Sequence, residues 1–299
     1  MKQLLDRTIW EITKPRIVKM VLITGALGYA LGFPFEYNFS YFHFILFLIG
    51  LGSISGGSLA LNSAQEWQHD IKMDRTVERP IPSGLVSPKK AFGFSASLII
   101  FGLLVLYYVQ PLTCLIGFLT VFFYNFIYTV ILKRRSPFAA VPGAIPGAAP
   151  VLMGYSAINT NIFSSDSIYV FLLMFLWQMP HFWALAIRYM DDYAKGGFPV
   201  LPVKLGKQRT LYHMGLYLIP YIALAVMSPW FVETGYAYYI LVLPLAVISV
   251  YEFYKFLESR GEKNWVRFFV WINLSMLAFL AAPVLDRWAF YFFKGIMRQ

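Results

Sequence analysis

Asn62, Glu66 and Asp70 recur at four-residue intervals, so in a helix they stack along one face. Three oxygen-bearing side chains so arranged suit a hard cation such as Mg²⁺, which binds through one or two carboxylates, waters and substrate phosphates. Arg75 and Arg79 follow closely, and planar guanidinium groups clamp phosphate oxygens well. A second acidic group, Asp191 and Asp192, stands far along the chain with Lys195 and Lys204 behind it. Two such clusters fit a diphosphate held by Mg²⁺ between them. In that chemistry carboxylates hold the metal, the metal neutralises phosphate oxygens, and Lys and Arg stabilise the departing pyrophosphate.

Other polar residues stand in apolar surroundings. His181 lies in W-Q-M-P-H-F-W (177–183), three residues after Gln178 and next to Pro180, which opens the local hydrogen-bond ladder. An ionisable group inside a membrane segment is a functional candidate by default. Haem ligation, proton transfer and substrate hydrogen bonding are open to it, and so is a plain bond to a neighbouring helix. Tyr124, Asn125 and Tyr128 either line a polar cavity or belong to an interfacial belt. Lys133, Arg134 and Arg135 follow them and double as topology anchors. His69 falls outside the four-residue series, and His43 and His213 have no comparable setting. Cys114 is the only cysteine, which excludes an intramolecular disulfide and argues against thiol catalysis.

The elements that must position these residues are membrane helices. Of 299 residues 59% are hydrophobic and 13% charged, and the mean hydropathy is +0.60. This excludes a soluble domain, because only helices or closed barrels satisfy their backbone in lipid. Nine spans are expected, at about 17–34, 41–64, 91–109, 112–132, 138–157, 166–188, 210–229, 236–257 and 267–291. They form one domain over residues 1–299, with loops at about 65–90 and 189–209 carrying the chemistry. The formal charge of +10 is a topology signal rather than a nucleic-acid one: 22 of the 25 Lys and Arg fall on one side of the nine spans. The positive-inside rule then puts the N-terminus in the cytoplasm and the C-terminus outside. Neither a signal peptide nor a transit peptide is recognisable in the first residues, which favours a bacterial inner membrane, crossed many times.

The motifs Asn62…Glu66…Asp70 with R-T-V-E-R-P (75–80), K-R (133–134), P-G-A-I-P-G-A-A-P (142–150), W-Q-M-P-H-F-W-A-L-A (177–186) and D-Y-A-K-G-G-F-P-V-L-P-V (192–203) span nearly the whole chain. With them the sequence resembles the UbiA superfamily of intramembrane prenyltransferases, and the last two blocks resemble its haem-farnesylating branch. Glu66 stands where that superfamily more often has Asp. The resemblance implies an all-α barrel of nine transmembrane helices, farnesyl diphosphate as donor, haem b as acceptor and Mg²⁺ as cofactor. It implies metal on Asn62, Glu66 and Asp70, aided by Asp191 and Asp192. It implies diphosphate on Arg75, Arg79, Lys133, Arg134, Lys195 and Lys204, and acceptor near His181, Gln178 and Tyr128. The implied product, haem O, passes to haem A synthase or a terminal oxidase assembly.

Two other readings compete. One is a relative acting on another aromatic acceptor of the quinone or chlorophyll pathways. The other is a transporter, which predicts internal repeats and charges at mid-membrane. The sequence has no clear repeat, and its acids gather at one surface.

Overall fold

The computed structural model describes residues 8–36 and 38–296, so Lys2, Arg7 and the C-terminal Gln299 of the topology argument lie outside the described residues. Among these residues the chain is helical without strands. The helices are α1 (Pro15–Gly32), α2 (Tyr41–Asp70), α3 (Pro88–Val109), α4 (Pro111–Phe122, continued as a π-helical segment Phe123–Leu132), α5 (Ala140–Ser156), α6 (Ser165–Arg188), the short α7 (Met190–Lys195), α8 (Leu201–Val226), α9 (Tyr236–Glu258) and α10 (Trp265–Ile296). A helix overlaps each of the nine stretches expected to span the bilayer.

Among the described residues six helices are long and apolar enough to cross a membrane: Tyr41–Asp70, Pro88–Val109, Pro111–Leu132, Ser165–Arg188, Tyr238–Glu258 and Trp265–Phe292. The other three differ for visible reasons. Helix α1 carries Arg16 and Lys19 in its first turns, α5 has 17 residues, and α8 carries Lys204, Lys207 and Arg209 in its first turns. Large apolar side chains such as Ile100, Leu104, Tyr108 and Val247 are exposed. A surface of that kind belongs in lipid.

Local sequence sets several boundaries. Ser40, Ser87 and Ser164 cap α2, α3 and α6, each accepting a hydrogen bond from the backbone N–H three residues on. Pro15, Pro88 and Pro111 occupy first helical positions, where the missing N–H costs nothing. Helix α2 runs six residues beyond its expected end at about 64, to Asp70, because nothing between Asn62 and Asp70 breaks a helix. Its 30 residues reach about 45 Å, so one rigid rod carries both an apolar half and the acidic motif. Helix α8 starts nine residues earlier than expected, at Leu201, and bends at Gly206, whose φ of 79° is left-handed.

Glycines bring α1 and α5 together. A side chain at Gly28 would collide with the Val151 carbonyl, and one at Gly154 with that of Gly25. Small residues permit such backbone contact between membrane helices. The larger core runs through α5, α6, α8, α9 and α10 around Trp183, Tyr221 and Phe268, and a second joins α1 to α4 around Phe47, Leu51 and Leu106. Between these two lies a cavity.

Candidate active site

The cavity is about 420 Å³ and is walled by α1, α2, α4, α5 and α6, with the loops after α2 and α7 over its polar end. Its polar side is built by a ladder between α2 and the π-helical segment. The Ser58 hydroxyl donates to Asn125 Oδ1 (2.6 Å), Asn62 Nδ2 to Thr129 Oγ1 (3.1 Å), and Lys133 Nζ to both Glu66 oxygens (2.7 Å each). Each rung joins residues 67 apart. Both strips of side chain advance by four residues, so these contacts fix the register of the two helices along their length. Ten residues of π-helix are unusual, and such segments concentrate at functional sites.

Asn62, Glu66 and Asp70 are 2%, 4% and 2% exposed, and all three line the cavity. Their shared helix face is therefore turned inward, as their spacing requires. Each is held by a cation. Lys14 Nζ donates to Asn62 Oδ1 (2.9 Å), Lys133 chelates Glu66, and Arg79 reaches Asp70 Oδ2 (3.0 Å). Thr76 Oγ1 donates to the Asp70 carbonyl (2.7 Å), closing the chain turn that returns Arg79 to α2. Lys133 also lies over the Phe198 ring at 4.7 Å. In the sequence Lys14 counts only as one of the positive charges before the first span. It stands at the N-cap of α1 in a left-handed conformation (φ 53°), half-buried. Burial first, then the nearby Arg79, pushes its pKa down to about 8. The signal available in sequence was a lone Lys-Pro at the head of a span.

Four cations, Lys14, Arg75, Arg79 and Lys133, thus face two carboxylates, Glu66 and Asp70, in one cavity. A partly buried surplus of positive charge attracts anions. Among the described residues no three His, Cys, Asp or Glu side chains gather into a metal cage. Two carboxylates and one amide oxygen match instead the way Mg²⁺ binds, with few protein ligands and the rest from water and phosphate.

The second acidic motif sits differently. Asp191 is exposed and Asp192 half-buried on the six-residue α7, and neither lines the cavity. Asp192 Oδ2 accepts from the Arg75 backbone N–H (3.3 Å), while the Arg75 guanidinium lies over Tyr189 (4.7 Å) and Tyr193 (5.7 Å). Lys195 pairs with Asp74, and both are exposed. His69 bonds the Gly196 carbonyl (2.8 Å) and packs on Phe198, so it ties the two loops together rather than facing the acids. Lys204 is exposed on α8, and Arg134 donates to the Gln65 carbonyl (3.0 Å); neither lines the cavity.

On the acceptor side the expected trio divides. Tyr128 and Gln178 line the cavity, and Tyr124 lies beside Tyr128 with ring centroids 5.7 Å apart. Gln178 donates to the Ala144 and Met174 carbonyls (3.0 and 3.1 Å), in a place left free by Gly147. His181 does not line the cavity. Its ring lies between Trp177 and Phe269, at 4.5 and 4.8 Å, on the side of α6 that meets α10, and its buried Nδ1 has no partner.

The sequence pattern of the UbiA prenyltransferase family matches residues 21–281. A protein of Bdellovibrio bacteriovorus named protoheme IX farnesyltransferase is 47% identical over 282 residues, covering 94% of this chain and 97% of that one. A protein of the same name from Teredinibacter turnerae is 33% identical over 285 residues, 95% and 91% of the two chains. Among solved structures, one described as giving insight into digeranylgeranylglyceryl phosphate synthase aligns with a TM-score of 0.76 at 20% identity, over 95% of this chain and 99% of that one. A UbiA homolog from Archaeoglobus fulgidus bound to DMAPP and Mg²⁺ aligns with a TM-score of 0.67 at 16% identity, over 93% and 99%. The two structures establish a shared fold.

Proposed function

The chain belongs to the UbiA prenyltransferase family, and from that premise we propose that it transfers farnesyl from farnesyl diphosphate to a vinyl group of haem b with addition of water, giving haem O and diphosphate. The observation that carries this reading is the surplus of cations around Glu66 and Asp70 at the polar end of an otherwise apolar cavity.

Glu66 and Asp70, with the Asn62 amide oxygen, would hold Mg²⁺, which when bound supplies positive charge to the leaving diphosphate. Lys133 and Arg79, now spent on those carboxylates, would then turn to phosphate oxygens, joined by Lys14 and by Arg75 at the mouth. Asp192 acts on the diphosphate indirectly, by holding the Arg75 backbone, while Lys195 pairs with Asp74 and Arg134 holds the Gln65 carbonyl. The apolar walls exclude water while the allylic C–O bond ionises. The faces of Tyr124 and Tyr128 stabilise the cation. The vinyl group attacks, the new cation forms next to the porphyrin, and water captures it after the C–C bond exists. No nucleophilic side chain is required.

The same reading includes nine membrane crossings, a cytoplasmic N-terminus and an outward C-terminus in a bacterial inner membrane. The one-sided distribution of Lys and Arg supports it. The product would be handed to a haem A synthase or a terminal oxidase assembly.

Incubating the purified protein with haem b, farnesyl diphosphate and Mg²⁺ and weighing the haem tests the proposal. In H₂¹⁸O the product should gain one solvent oxygen label. A farnesylated product without solvent oxygen would replace haem by an acceptor whose aromatic ring simply loses a proton.

A further inference from the structure

From its polar end the cavity follows α2 downward past Asn62 and Ser58 and ends at Ile54, with Gly117 of α4 and Met153 of α5 beside it. A side chain begun at Gly117 would come within 3.0 Å of Ile54 Cδ1 and 3.1 Å of Met153 Cε, so the three positions close on one another. Behind them the protein is solid: Ile54 and Met153 belong to one core cluster with Leu51 and Leu106, both 0% exposed.

The length of this channel is readable from the helix. Glu66 and Ile54 are twelve residues apart on α2, about 18 Å. Each isoprene unit adds four carbon–carbon bonds of about 1.5 Å, or about 5 Å of extended chain. Three units below a diphosphate held at Glu66 fill the channel, and a fourth would run into Ile54 and Met153. Two would leave its end empty, a void that forfeits the contacts of its lining atoms.

We propose that Ile54, Gly117 and Met153 form the end stop that sets the prenyl chain length this protein accepts, the missing side chain at Gly117 letting Ile54 and Met153 close against α4. The proposal rests on prenyl transfer from a diphosphate at Glu66 and Asp70. Gly117 is a specificity residue rather than a catalytic one, since the reacting carbon lies at the other end.

The test compares geranyl, farnesyl and geranylgeranyl chains, by kcat/KM of the diphosphates with haem b and by calorimetric binding of the inert thiodiphosphates. Wild type should prefer farnesyl over both neighbours. Gly117→Leu should move the geranyl-to-farnesyl ratio at least tenfold toward geranyl. Met153→Ala should move the geranylgeranyl-to-farnesyl ratio at least tenfold the other way, since single groups in apolar pockets carry discrimination of that size. If Gly117→Leu does not fold, Met153→Ala and the wild-type binding series decide alone. Equal wild-type binding of farnesyl and geranylgeranyl chains, or unchanged ratios in a folded variant that still turns over farnesyl diphosphate, overturns the end stop. Wild-type protein that binds none of the thiodiphosphates and releases no diphosphate overturns the prenyl-transfer reading instead.

Discussion

The two acidic motifs look alike in sequence and stand in opposite physical situations. Glu66 and Asp70 sit near the end of a 30-residue helix, at most 4% exposed, each matched by a cation brought from elsewhere in the chain. Asp191 and Asp192 sit on a six-residue helix between loops, one exposed and one half-buried. An acid on a long packed helix has its direction dictated by the bundle. On a single turn of helix, hydration decides instead. The first pair is held in place by packing and ion pairs, whereas the second is a clasp joining α7 to the loop after α2 through Asp192 and Arg75.

That contrast can be broken by graded substitutions. The largest effect is expected from Lys133→Ala, which strands the buried Glu66 without its partner; loss of one member of a buried pair costs about 3–5 kcal/mol of stability. Thermal unfolding in detergent would show it, and an unchanged midpoint would mean that Glu66 is hydrated or protonated. Asp70→Asn should keep the fold and raise the barrier to transfer by about 3 kcal/mol or more, read as kcat under saturating Mg²⁺. Asp192→Asn should cost less than Asp70→Asn in the same assay. Equal losses would return the second motif to direct metal binding.

Glu66→Asp should keep more activity than Glu66→Gln, since charge at this position matters more than reach; the reverse order would argue against a cation there. His181→Ala should leave farnesyl thiodiphosphate binding unchanged, because His181 does not line the cavity, while lowering turnover of haem b. If turnover is also unchanged, His181 serves only the packing of Trp177 on Phe269. Lys195→Ala ends the series with no measurable change in stability, its pair with Asp74 being exposed to water.

Much of the site was legible because it is local. A four-residue interval places Asn62, Glu66 and Asp70 on one face of any helix, and the helix is continuous to Asp70. Arg79 lies nine residues from Asp70, close enough for one chain turn to return it. The membrane helices were legible for the same reason, apolar length being a property of each segment alone. Gly117 gave no signal, since a glycine inside an apolar helix reads as packing until the atoms around it are known.

The sequence by itself therefore determined an α-helical membrane protein whose acids and first arginines share one polar end. Only the tertiary structure decided which distant residues complete that end. Lys14 meets Asn62 across 48 residues and Lys133 meets Glu66 across 67, and no periodicity within one helix predicts either. It likewise decided that Gln178 faces the cavity while His181, three residues on, faces α10. Trp177 donates to the Ile272 carbonyl at 2.9 Å and Trp265 to that of Ala184 at 2.8 Å, and these two bonds bring α10 against that side of α6. A helix presents all its faces to its own sequence equally; which face meets the cavity is set by the neighbours that pack against the others.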